Sequence, residues 1–265
     1  MYFLTTLSVI LLASPIFVCS LKCYDSKQTF ALDYLVTSEI VPSFASKCQL
    51  VDSAACYLSI QWNMITNTTR LDIRGFSSIP PSMAPEDTLT VSIAMQRTSA
   101  QADLSLAHHL NFLCDSADTC NGEENVRQLL RSLVIEDSFK QELSSLLETV
   151  SPFDAKAAQC FEFSNSSTLC PTTDLSSCQR CEILTNKLSP SDERICARCP
   201  KNSEPENIIA RLKIFHFHNP TADSDDTILA CQLKGCNSVA NSKRIYEASQ
   251  ITFNSIFFNL NKYNF

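Results

Sequence analysis

The chain has 265 residues, with 14 cysteines, 11 prolines, only three glycines and a formal net charge of −7. Such an acidic surface repels phosphate backbones and anionic lipid, which argues against nucleic acid as a partner. Phosphate-cradling loops and the G-x-S-x-G nucleophile turn both need clustered glycines, and Gly75, Gly122 and Gly235 stand far apart.

The first residues, MYFLTTLSVILLASPIFVCS, contain no charged side chain and hold an apolar run before Val18-Cys19-Ser20. Residues 1–20 read as a secretory signal peptide cut after Ser20, the run being shorter than the roughly 20 residues that a membrane span needs. Taking residues 1–20 from 265 leaves about 245 residues, enough for two small domains at the usual roughly 100 to 200 residues each. Cys19 leaves with the signal, so 13 cysteines enter an oxidising compartment where disulfides persist. The odd count predicts a thiol that is free or bonded to another chain. Asn67-Thr68-Thr69 and Asn165-Ser166-Ser167 are glycan acceptors that fit the same compartment.

A loose internal repeat organises the chain beyond the signal. Cys23-Tyr24-Asp25 matches Cys160-Phe161-Glu162 as cysteine, aromatic, acid, and a cysteine opens an apolar strand at Cys56 and again at Cys181. NFLCDSADTCN (111–121) matches ILACQLKGCN (228–237), each a cysteine pair followed by asparagine. A repeat of this size marks a pair of domains. ACYLSIQWN, TTRLDIRGF, TLTVSIAMQR and LSLAHHLNFLC in the first copy, and ARLKIFHFHN and TILACQL in the second, read as strands bounded by turn residues. LKIFHFH alternates, with Leu212, Ile214, His216 and His218 on one face and Lys213, Phe215 and Phe217 on the other.

Between the copies, residues 122–159 carry apolar side chains at helical spacing. Val126, Leu129, Leu130, Leu133 and Val134, then Phe139, Leu143, Leu146, Leu147 and Val150, predict an amphipathic helix or helical hairpin. Asn125 with Gln128 forms its capping pair, and Ser151-Pro152 ends it. Residues 238–265 read as a C-terminal tail in which Asn254, Asn259, Asn261 and Lys262 interrupt the apolar run, unlike a lipid-anchor signal.

Few patterns carry chemistry. Cys178-x2-Cys181, fourteen residues, then Cys196-x2-Cys199 has the spacing of a zinc ribbon, but behind a signal peptide disulfides displace zinc. His216 and His218 share a strand face without a third ligand, and His108 and His109 point to opposite faces. Asp223-Ser224-Asp225-Asp226 lacks the glycine and distal glutamate of a calcium loop. No catalytic set and no cofactor are expected.

A mature chain opening Leu21-Lys22-Cys23-Tyr24, with domains closed by cysteine, four or five residues, cysteine and asparagine, resembles the three-finger domain of snake toxins, lymphocyte antigens and the urokinase receptor. The resemblance covers 21–121 and 160–237. It implies an α+β chain of two small disulfide-rich antiparallel β (three-finger-like) domains joined by an amphipathic helical segment. It also implies bridges from Cys23 to Cys56, Cys114 to Cys120, Cys160 to Cys181 and Cys231 to Cys236, with Asn121 and Asn237 hydrogen-bonded to backbone in the knots. Cys170, Cys178, Cys196 and Cys199 are then left to pair in any of three ways.

The chain departs from the family in lacking the first-finger bridge and the bridge ahead of the first closing pair. Phe76 stands where a cysteine would meet Cys48, so Cys48 becomes the odd thiol, either buried and free or linking a second chain. The 57 residues between Cys56 and Cys114, with Pro80, Pro81 and Pro85, are expected to add a strand pair or a binding loop. The function implied is that of a secreted binding or signalling module without catalysis, recognising an extracellular protein or receptor through its finger loops. A secreted hydrolase or protease inhibitor, or a lipid-anchored protein of the same fold, are the alternatives.

Overall fold

The computed structural model describes residues 20–78, 87–97, 103–149, 153–154, 159–166, 170, 179–189, 191–200, 206–254 and 258. The signal segment before Ser20, the Pro80, Pro81 and Pro85 loop, Ser151-Pro152 and Cys178 lie outside them. The first copy supplies β1 (Leu21–Asp25), β2 (Phe30–Leu32), β3 (Gln49–Ser53), β4 (Ala55–Asn63), β5 (Thr68–Phe76), β6 (Thr88–Arg97) and β7 (Ser105–Cys114). Next come α1 (Glu123–Ser132), β8 (Leu133–Asp137) and α2 (Phe139–Glu142). The second copy supplies β9 (Phe163–Ser164), β10 (Cys181–Ser189), β11 (Asp192–Arg198), β12 (Asn207–His216) and β13 (Ser224–Cys231), then α3 (Val239–Glu247) and β14 (Ser249–Phe253).

All pairings are antiparallel. β1 pairs with β3, β14 pairs with β8, and the other strands form a 10-stranded sheet in the order β2-β5-β4-β7-β6-β12-β13-β10-β11-β9. The halves of that order mirror each other about the β6–β12 junction. Ser92 of β6 faces His109, and Leu212 of β12 faces Asp226, positions equally far ahead of Cys114 and Cys231. Ser92 and Leu212 also pair with each other, so a pseudo-twofold axis runs between them. Ile135 and Ile251, equally far past Cys120 and Cys236, pair in the same way between β8 and β14.

Strands of the two copies therefore share one sheet, joined at the β6–β12 seam. Residues 122–159 do begin with a helix, whose buried Val126 and Leu129 face inward. It stops at Ser132 because Val134 and Ile135 are β-branched and find a strand partner in β14. Its N-cap is Gly122, not Asn125; the Asn125 amide donates to Thr119 O at 3.2 Å instead. Past residue 237 the chain forms α3 and β14, and Phe258 is buried with its ring 5.6 Å from Phe112 and 5.4 Å from Phe217.

Alternation explains the layers. Cys56, Leu58, Ile60 and Trp62 of β4 are buried, while Tyr57, Ser59 and Gln61 between them are half-exposed. The buried face is covered by α1, β8, α2, α3 and β14, and the opposite face has no second layer among the described residues. The knot end closes on Gly75, where a Cβ would collide with Ser53 Oγ and lie 2.7 Å from Val51 Cγ2. Gly75→Ala is therefore expected to cost about 1 to 3 kcal/mol through overpacking, read as a lowered urea midpoint with an unchanged m-value.

Candidate functional site

Cys23 bonds Cys56, tying β1 to β4, and Cys114 bonds Cys120, tying the end of β7 to the segment ahead of α1; Cys160–Cys181 and Cys231–Cys236 hold the ends of β10 and β13 at the other end of the sheet in the same way. Fully buried Asn121 sits in the first knot. Its Oδ1 accepts from Tyr24 N at 3.1 Å, and its Nδ2 donates toward the carbonyls of Tyr24 (2.8 Å), Arg74 (3.2 Å) and Tyr57 (3.3 Å). Asn237 repeats the pattern, accepting from Phe161 N at 2.9 Å and donating to Phe161 O at 2.9 Å and Glu182 O at 3.2 Å. Each amide thus joins the residue after the opening cysteine to the residue after the strand cysteine.

Of the four cysteines whose pairing was open, Cys170 bonds Cys196 and Cys199 is disulfide-bonded, while Cys178 lies outside the described residues. With Cys181 bonded to Cys160, the zinc-ribbon alternative has lost its thiolates. Among the described residues the only close group of three metal-type ligands is Cys56, Cys114 and Cys120, all in disulfides. The Asp223 to Asp226 stretch is divided among separate partners: Asp223 accepts from His216 N, Asp225 pairs with Arg211, and Asp226 accepts from Asn186. His218 Nε2 stands 2.9 Å from the buried Asp87 carboxylate, which also accepts from Asp115 N and Ser116 Oγ, so that contact stitches the two halves.

Cys48 alone among the described cysteines is unpaired. It is half-buried against the core, and burial first, then Asp25 and Glu123, pushes its thiol pKa up. The neutral thiol is a poor nucleophile. Iodoacetamide at pH 8 is expected to label Cys48 several-fold more slowly in the folded protein than in denaturant; equal rates would show an open, reactive thiol. Asn67 is exposed at the β4–β5 turn with φ 53°, whereas the Asn165 amide is engaged, donating to Glu193 O at 2.8 Å and accepting from Ile195 N at 2.6 Å.

Two polar pairs lie buried beneath the second layer; the sequence patterns single out neither Arg211 nor Asp137, and mark His108 only as facing away from His109. Arg211 on β12 forms a two-pronged pair with Asp225, at 2.9 Å and 2.7 Å, and its third nitrogen donates to Ser249 O at 2.7 Å. His108 on β7 meets Asp137 of β8 at 2.6 Å, with side-chain exposures of 9% and 6%. The signal was present as a cation or imidazole at inward positions of alternating strands: Arg211 shares a face with Phe215, and His108 with Leu106, Leu110 and Phe112. His109, by contrast, lies half-buried on the open face, its pKa lowered by burial and then by His108.

One concavity lies beside His108 on the covered face of the sheet and another on the open face. The first, about 290 Å³, opens beside His108 and Trp62. The other, about 260 Å³, lies on the open face with Leu184, Ala210, Leu212 and Ile228 in its lining. Fold and knots together define a disulfide-rich, mostly antiparallel β-protein built on an internal repeat. No protein-family model, curated protein or solved structure matches the chain, and among the described residues no helix is long and apolar enough to cross a membrane.

Proposed function

We propose that the protein is a secreted binding module of two divergent three-finger units that recognises an extracellular protein and catalyses nothing. The uncovered face of the shared sheet carries this reading. The units meet antiparallel, with Asn207 opposite Arg97 and His216 opposite Thr88, so the knots lie at opposite ends and β4 and β10 run away from them in opposite directions. What the halves present together is the sheet face. In the second half it offers half-exposed Leu184, Ala210, Leu212, Ile214 and Ile228 on a disulfide-braced support. Apolar area of this kind, rimmed by Asn186 and Asp226, has the composition of a protein-binding patch.

The test uses the secreted, oxidised protein on an array of receptor ectodomains, beside a Leu212→Glu/Ile228→Glu variant. The variant is expected to keep its circular dichroism and lose the bound ectodomain. Binding that survives the two charges would remove the sheet face as the surface. Turnover of an ester or peptide panel by the parent would replace this reading with a hydrolase, and release of the protein from cells by a phosphatidylinositol-specific lipase would replace secretion with a lipid anchor.

A further inference from the structure

The cavity beside His108 has the features of a small-molecule site. Its floor is Val36, Trp62 and His108, all buried, and its walls include Met64, Leu130 and Ile135. Exposed Thr37 and half-exposed Ser38 form the mouth, where Arg127 fixes the loop by donating to Ser38 O at 3.2 Å. Trp62 cannot serve as a polar contact, because its indole N–H is spent on Val36 O at 2.8 Å. His108 can. Its Nε2 is held by Asp137, which in turn accepts from Phe139 N at 3.0 Å, and Nδ1 has no hydrogen-bond partner among the described residues. An imidazole anchored through one nitrogen by a buried carboxylate is fixed in orientation, leaving the other nitrogen for a ligand.

From this geometry we infer that the cavity binds a small, uncharged, largely apolar molecule bearing one hydroxyl, a medium-chain alcohol or alkylphenol, with the hydroxyl on His108 Nδ1. Charge decides the class. His108 and Asp137 already satisfy each other, so a carboxylate or ammonium placed on the floor would be an unpaired buried ion. A hydroxyl donates to Nδ1 of the neutral ring and accepts from Nδ1 of the protonated ring, and so fits either state. Volume sets the size: an apolar cavity of about 150 Å³ holds benzene, so 290 Å³ accommodates about twelve non-hydrogen atoms at the same filling. This site lies beneath the second layer and does not depend on the open face.

The chain reports on the cavity by itself, since its one tryptophan is Trp62. Titrating the intact secreted protein with 1-decanol, below its solubility limit, is expected to give a saturable change in tryptophan emission. Decanoate should need at least ten-fold higher concentration, and Ile135→Phe, which fills the cavity and leaves His108–Asp137 in place, should weaken the 1-decanol response by at least ten-fold. No saturable change with either probe, or a response untouched by Ile135→Phe, would overturn the site. Tighter binding of decanoate would overturn the hydroxyl assignment in favour of a carboxylate held at the Arg127 mouth. The ectodomain array cannot produce any of these outcomes, so the two proposals fail separately.

Discussion

Arg211→Met is expected to lower unfolding free energy by about 3 to 5 kcal/mol, because it strands a carboxylate that the fold holds out of water. The Arg211 side chain is 10% exposed and that of Asp225 16%. Their two parallel hydrogen bonds use one edge of the guanidinium, and the remaining nitrogen reaches Ser249 O and Ser249 Oγ, at 2.7 Å and 3.1 Å. The guanidinium carbon also sits 5.0 Å from the centre of the Tyr246 ring. One side chain thereby fastens β13 on the sheet to α3 and β14 above it. Methionine keeps the apolar length and none of the hydrogen bonds. Asp225 would then keep only its cross-strand neighbours Lys213 and Lys187, whose ammonium groups are turned to Ile251 O and to the Tyr246 ring, and the second layer would lose one of its ties to the sheet.

The double variant Arg211→Met/Asp225→Leu separates these effects. A buried pair replaced by apolar side chains of similar size is often close to neutral, so the double variant should recover most of the loss. Urea unfolding of the disulfide-intact protein measures both. A single variant within about 1 kcal/mol of the parent would show that the pair sits in a wetter site than its exposure implies.

The strands of the first copy were legible because one face is buried along their length. ACYLSIQWN, TTRLDIRGF and TLTVSIAMQR coincide with β4, β5 and β6, each alternating inward apolar with outward polar residues. Which edges would meet was not legible. β6 and β12 join through backbone groups that every residue carries, and nothing in their side chains distinguishes a strand at an edge from one at a seam. β8 was hidden for a different reason: Leu129, Leu130, Leu133 and Val134 keep helical spacing across the boundary, and only pairing with a strand more than a hundred residues later decides against it. The knot asparagines were visible as spacing after a cysteine pair; the inward Arg211 and His108 were visible only as exceptions in an apolar stripe, and their partners lie on other elements.

Asn121→Asp is expected to be as damaging as the loss of Arg211, at about 3 to 5 kcal/mol near pH 7, although it changes one NH₂ to oxygen. The amide hydrogens serve three carbonyls from Tyr24, Tyr57 and Arg74. A carboxylate there would set negative oxygen against all three, at a position with no exposed surface. Burial and the carbonyls raise the folded-state pKa of the new carboxyl above the unfolded value of about 3.9, so between those values the unfolded chain releases the proton and the folded one keeps it. The penalty is therefore largest above the folded-state pKa and shrinks as pH falls toward about 3.9, where a protonated carboxyl can still donate to one carbonyl. Asn237→Asp should behave in the same direction with a smaller loss, since only the Phe161 and Glu182 carbonyls face its amide. Because the two knots brace one sheet, either substitution is expected to lower a single unfolding transition. Two separate transitions in calorimetry, with only one moved by each variant, would show that the halves unfold independently despite the β6–β12 seam.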